Sequence, residues 1–222
     1  LMISNKDSWP ELLCNNYSCV IVDEAHKARR KKININKIEP ASEENRNNLM
    51  KFLCELSQQT KSMFLATATP VQIHPVEAWD LLWILSQGSD EVMGDKYSNW
   101  RKNPKETLDL VTRKSDLPST VDILWPWISN PVPSSWEAPI FKKIRERFGL
   151  PSSRHVLKYT DLENLAAPMR TKIKNISNTF RDDFNPFIRH IILRKRSFLE
   201  QKINPVDGAP YLKPIVVRLE GE

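Results

Sequence analysis

Val20-Ile21-Val22-Asp23-Glu24-Ala25-His26 sets a β-branched apolar run directly against two carboxylates. With Cys19 before it, the run is short and unbroken by charge, the pattern of a strand buried on both faces of a parallel sheet. The pattern returns at Met63-Phe64-Leu65-Ala66, which runs into Thr67-Ala68-Thr69-Pro70. Between the two, Leu49, Phe52, Leu53 and Leu56 recur at helical spacing. Strand, helix and strand in this order imply a right-handed crossover and two parallel strands whose carboxyl ends converge. Ligands of open α/β sheets bind at that edge.

Working outward, residues 1–4 read as a short strand. Asp7 or Ser8 caps a helix that has Pro10 in its first turn and runs to Leu13. Downstream, Val76, Trp79, Leu82, Trp83 and Leu85 mark an amphipathic helix that stops at Gly88. Trp79 and Trp83, four apart on it, read as core. Regular alternation then ends. Residues 89–168 carry scattered helical patterns, several prolines and Trp100, Trp125, Trp127 and Trp136, which together predict a largely helical insertion with long loops. Trp125 and Trp127 flank Pro126 and, if exposed, mark a protein contact surface. A long helix over 161–183 leads into Phe187-Ile188-Arg189-His190-Ile191-Ile192-Leu193, and 214–219 reads as a last strand. The expected segments are therefore 1–88, 89–168 and 169–222.

A chain of 222 residues with 40% hydrophobic content holds one or two domains with a real core. No apolar run approaches the roughly 20 residues of a membrane-spanning helix and no signal-peptide pattern opens the chain, so it is expected to stay where it is made. That compartment is the cytoplasm with the nucleoid in a bacterium, or the nucleus in a eukaryote. Cys14, Cys19 and Cys54 are an odd number without a CxxC pair, which argues against a disulfide framework and a structural zinc site. The net charge of +6 is a mild excess of 33 basic over 27 acidic residues. Its distribution says more, with one basic run over 27–37 and another at Arg189, Arg194, Lys195 and Arg196.

An acidic residue fixed at a strand's carboxyl end can hold Mg²⁺ through water, and a neighbouring carboxylate can take the proton of an attacking water. Asp23 fits the metal role and Glu24 that of the base, with His26 beside them. The hydroxyls of Thr67 and Thr69 can both donate and accept hydrogen bonds, which suits a link between the two strand ends. His74, His155 and His190 read as surface or turn packing.

Asp-Glu-Ala-His followed some forty residues later by Leu-Ala-Thr-Ala-Thr-Pro resembles motifs II and III of superfamily 2 helicases. The continuation Glu77-x-Trp79-x-Leu81-Leu82 is similar to Swi/Snf-type ATPases, more closely their RapA-like bacterial relatives, as is the segment Phe187–Arg196. The resemblance implies a partial RecA-like parallel sheet flanked by helices. It also implies ATP and Mg²⁺ as cofactors, and DNA-dependent ATP hydrolysis that drives translocation on double-stranded DNA and displaces DNA-bound protein. Asp23, Glu24 and His26 would form the catalytic set, with Thr67 and Thr69 lining the nucleotide side. Lys27, Arg29, Arg30, Arg194, Lys195 and Arg196 would be candidates for the DNA backbone, each of which also fits a solvated face or flexible loop.

The five glycines are Gly88, Gly94, Gly149, Gly208 and Gly221, none of them placed before Lys-Ser or Lys-Thr, so these residues hold no phosphate-binding loop. The chain therefore reads as a piece of a longer motor, with the phosphate loop expected upstream and the second RecA-like lobe, with its arginine finger, downstream. By itself it is expected to be inactive. Alternatives are a strand-separating helicase and a non-catalytic binding module descended from such a motor.

Overall fold

The structure, a computed structural model, describes residues 9–192, 201–203, 205 and 208–210. The chain divides into two compact units, Leu1–His190 and Ile191–Glu222. In the second unit, Ile203 and Pro210 form an isolated antiparallel bridge. The strands expected at 1–4 and 214–219, the cap at Asp7 or Ser8, and Arg194, Lys195 and Arg196 lie outside the described residues.

Helix α1 (Trp9–Leu13) precedes strand β1 (Val20–Val22), helix α2 (Asn48–Gln58) and strand β2 (Met63–Leu65). The two strands pair in parallel, Val20 with Met63, Ile21 with Phe64 and Val22 with Leu65. The crossover helix starts where Asn47 Oδ1 accepts the Met50 amide at 2.8 Å, a cap worth about 1 kcal/mol. Asn47 Nδ2 also donates to Lys27 O at 2.6 Å, fastening the start of α2 to the loop that follows β1.

Burial of these strands differs from the expectation. Val20, Val22, Met63 and Leu65 pack on a core that includes Met50, Phe52, Leu53 and Ile84, but Ile21 and Phe64, paired on the other face, are 74% and 61% exposed. The helices that supply this core lie on one side of the sheet, so side chains pointing the other way meet no cover among the described residues.

Helix α3 (Val76–Leu85) departs in the opposite sense. Expected to be amphipathic, it buries Val76, Ala78, Trp79, Asp80, Leu81, Leu82 and Ile84, because α2 packs on it from one side and the insertion from the other. It ends three residues before Gly88, whose role is steric. A Cβ at Gly88 would lie 2.2 Å from Ser57 O, so glycine is what allows the chain after α3 to pass the end of α2.

The insertion is helical, as expected, and packs into the same unit as the strands. It comprises α4 (Asp90–Met93), α5 (Asn99–Lys102), α6 (Pro104–Val111), α7 (Val121–Ser129) and α8 (Pro139–Arg147). The single helix expected over 161–183 is instead a 3₁₀ turn (Tyr159–Asn164), α9 (Ala167–Asn175) and α10 (Ser177–Asp183), followed by α11 (Pro186–His190). Pro168 explains the first break: it lacks an N–H and fits only the first turn of α9.

Trp100, Trp125 and Trp127 are buried, and Trp136 is the exposed tryptophan of the insertion, at 84%. The buried indoles are satisfied by backbone. Trp79 Nε1 donates to Trp100 O at 3.0 Å, Trp100 Nε1 to Trp127 O at 2.8 Å, and Trp125 Nε1 to Lys158 O at 3.2 Å. Trp79 is core, as read. Trp83 is half-buried, with the Arg101 and Arg46 guanidinium groups 5.0 and 5.8 Å from its ring. Among the described residues, no helix is long and apolar enough to cross a membrane.

Candidate functional site

Strand β1 delivers Asp23 and Glu24 to its carboxyl end, and β2 delivers Thr67 beside them. The ladder continues one step past the strands, with Ala66 N donating to Val22 O at 2.8 Å and Ala25 N to Ala66 O at 2.9 Å. The two motifs are therefore joined through backbone before any side chain takes part.

Asp23 and Glu24 are exposed. Asp23 Oδ1 accepts the Glu24 amide at 2.8 Å, which fixes one carboxylate oxygen and leaves the other. Glu24 sits in the left-handed region, φ 53° and ψ 40°, uncommon for a residue with a side chain and costing on the order of 1–3 kcal/mol. From there the chain turns into a 3₁₀ helix, Ala25–Lys27.

His26 Nδ1 lies 3.1 Å from Glu24 Oε2 and 3.0 Å from Thr67 Oγ1. The contact with Thr67 is a hydrogen bond whose direction follows the imidazole tautomer, and the one with Glu24 is an ion-pair distance to the same ring nitrogen. Thr67 Oγ1 also accepts the Thr69 amide at 3.1 Å, and Thr69 Oγ1 accepts from Gln72 Nε2 at 3.1 Å. Asp23, Glu24, His26 and Thr67 are thus brought together, with Thr69 one step behind.

Two supports were not legible beforehand. Glu77 Oε2 accepts the amides of Gln72 and Ile73 at 2.7 and 2.9 Å and, more weakly, that of His74 at 3.4 Å. Burial alone would raise this carboxyl, but the amides outweigh it and hold it below the usual range. Glu77 at the start of a helix was a visible signal, but its targets, three amides of the preceding loop, were not.

The second support is Arg30, which corrects an expectation. Its side chain is 4% exposed, and its Nε and Nη2 reach Asp80 Oδ2 and Oδ1 at 2.8 and 2.7 Å, with Nη1 on Glu39 O at 3.0 Å. A guanidinium so enclosed cannot meet a DNA strand. Lys27 and Arg29 are exposed. Around them much of the basic loop is tied internally, Lys37 to Glu39 at 3.1 Å and Lys31 Nζ to Glu44 O at 2.8 Å.

As a donor set, the site offers one oriented carboxylate, a second carboxylate held by an imidazole, and threonine hydroxyls. Mg²⁺ keeps several waters and commonly takes only one or two protein carboxylates beside substrate phosphates. Asp23 fits that partial role. The described residues supply no cluster of three or more His, Cys, Asp or Glu able to hold a metal by themselves.

Comparison of the chain with protein-family models, with curated proteins and with solved structures finds no match.

Proposed function

We propose that this chain carries the magnesium-and-water side of the ATP site of a Swi/Snf-type, double-stranded-DNA translocating ATPase with a RecA-like lobe. The observation that carries the reading is the junction of the two motifs, with His26 Nδ1 3.1 Å from Glu24 and 3.0 Å from Thr67 across the ends of two parallel strands.

In this reading Asp23 would hold Mg²⁺, which would supply charge neutralisation at the nucleotide phosphates. Glu24 accepts the proton of the attacking water. His26 restrains Glu24 on one side and Thr67 on the other, so the position of the base depends on the loop after β2. That loop is the route by which the state of the nucleotide would reach the nucleic-acid grip. The phosphate cradle is not among these 222 residues, and in the proposal it comes from elsewhere in the same polypeptide.

The test uses the full-length polypeptide. Glu24→Gln keeps size and hydrogen-bonding shape but cannot take a proton, so single-turnover hydrolysis falls by about 10²–10⁴-fold while Mg²⁺–ATP affinity is retained. Asp23→Asn weakens Mg²⁺-dependent ATP binding. Hydrolysis near wild type in Glu24→Gln, or binding lost there as severely as in Asp23→Asn, overturns the assignment.

A further inference from the structure

We propose that the helical insertion carries a duplex-DNA backbone contact built around Lys143, Arg147, Arg170 and Lys174. Residues 139–175 hold nine Lys and Arg against three Asp and Glu, a net +6, which equals the net charge of the entire chain. The remaining 185 residues therefore sum to zero. The loop after β1 carries as much, six Lys and Arg and no Asp or Glu over 27–37, but there Arg30 is buried on Asp80, Lys37 is paired with Glu39 and Lys31 is held by Glu44 O.

Of the nine cations, Arg145 is buried and Lys142 lies 3.9 Å from Glu146, while the other seven form no ion pair among the described residues. Arg145 is structural, donating to the carbonyls of Val132, Pro133, Pro151 and Arg154. Two of the seven are fixed by backbone. Arg147 donates from Nε and Nη2 to Asn164 O at 3.4 and 3.2 Å, and Arg170 donates to Leu165 O and Glu163 O, both at 3.0 Å. Both guanidinium groups thus converge on the turn at 163–165, and each keeps N–H groups for another acceptor.

Lys143 stands one turn before Arg147 on α8, and Lys174 one turn after Arg170 on α9. Residues four apart share a helix face, so the four charges extend along two helices from a common centre. A pinned guanidinium loses little freedom on meeting a phosphate, which favours binding.

The chemistry selects the partner. Between residues 136 and 175 the large apolar side chains strongly exposed are Trp136, at 84%, and Tyr159, at 58%, and Trp136 lies toward Lys142 and Glu146 on α8, not Lys143 and Arg147. A membrane surface would want an apolar face beneath the cations, and a single strand would want a row of stacking rings. A duplex backbone needs neither, only cations that release counterions. That the duplex is DNA rests on the translocase reading. The contact itself needs no nucleotide, so it is measurable independently of Asp23 and Glu24.

The experiment is fluorescence anisotropy of the 222-residue chain with a labelled duplex of arbitrary sequence, without nucleotide, across a salt series. Four phosphate contacts give a slope of about −3.6 in log K against log salt, a loss on the order of 10²-fold between 50 and 200 mM. Lys143→Gln with Lys174→Gln, both exposed, halves that slope to about −1.8. Lys61→Gln with Lys114→Gln removes the same charge elsewhere and leaves the slope as in wild type. Arg147→Gln with Arg170→Gln, checked for folding by circular dichroism, also lowers it. The proposal is overturned if no salt-dependent duplex binding is found, or if the Lys61 and Lys114 pair weakens binding as much as the insertion pair. It is equally overturned if phosphatidylserine vesicles are bound and the duplex is not.

Discussion

Replacing Asp80 by Ala leaves the Arg30 guanidinium buried without its counter-charge. The two side chains are 0% and 4% exposed, and after the substitution only Glu39 O, at 3.0 Å, still accepts from Arg30. Breaking a buried pair from one side costs about 3–5 kcal/mol. Set against a total stability of roughly 5–15 kcal/mol for a folded protein, that is a large share. At about 2–4 °C per kcal/mol for a chain of this size, the melting temperature falls by roughly 6–20 °C. Removing both charges behaves otherwise. Burial holds the Asp80 carboxyl above its usual range against the pull of Arg30, the mark of a desolvation cost its partner does not fully repay. Arg30→Met with Asp80→Leu should therefore stay within about 1 kcal/mol of wild type, or exceed it. Urea titrations followed by tryptophan fluorescence measure both, provided the slope against urea is common to all variants. A loss below about 1 kcal/mol for Asp80→Ala, or a double variant as weak as the single one, would refute this account.

Two further outcomes follow from buried titratable groups. Burial, with Arg189 alongside, pushes His190 down to about 4 from an ordinary 6.5, so between those values the unfolded chain binds a proton that the folded chain does not. The stability this group contributes is thus intact above pH 6.5 and lost as pH falls toward 4, by up to about 3 kcal/mol. His190→Asn should remove that share of the acid slope in urea titrations from pH 7 to 4, and an unchanged slope would count against it. Cys54 is buried and its thiol is pushed up to about 11 by desolvation, whereas Cys14 and Cys19 are exposed. Iodoacetamide at pH 8 should alkylate Cys14 and Cys19 in the native chain and Cys54 only in denaturant, as read by peptide mass spectrometry. Equal labelling rates would contradict the burial.

What could be read in advance was what is local. The crossover from β1 to β2, helix α2 and the start of α3 follow from short-range periodicity, and they are where the spacing put them. The two-sided burial of β1 could not be read this way. Val20, Ile21 and Val22 are all apolar, so the run looks the same whether one face or both are covered, and only the cover decides. Helix α3 misled for the converse reason. Asp80 gave it a polar side in the sequence, but the partner that lets that side be buried is Arg30, 50 residues earlier, and no periodicity shows such a pairing. The left-handed backbone of Glu24 was equally hidden, because a glutamate gives no local signal for it.

The same distinction applies to the candidate site. Asp23, Glu24, His26 and Thr67 belong to two short motifs and could be named from them, while what holds those motifs in place is assembled from a distance. Both long-range supports load onto one turn of α3. Glu77 fixes the loop after β2 by accepting its amides, and Asp80 fixes the loop after β1 by pairing with Arg30. Residues three apart lie on one face of a helix, so the two loops that flank the carboxylates hang from neighbouring positions on one rigid element. On its other sides α3 packs against α4, α6 and α11, and Trp79 donates into the insertion at Trp100 O. A force on the insertion that shifts α3 therefore shifts both loops together, and with them the Thr67 and Glu24 contacts of His26. A shift of either loop alone would instead have to break its link to α3, the amide contacts of Glu77 or the Arg30–Asp80 pair.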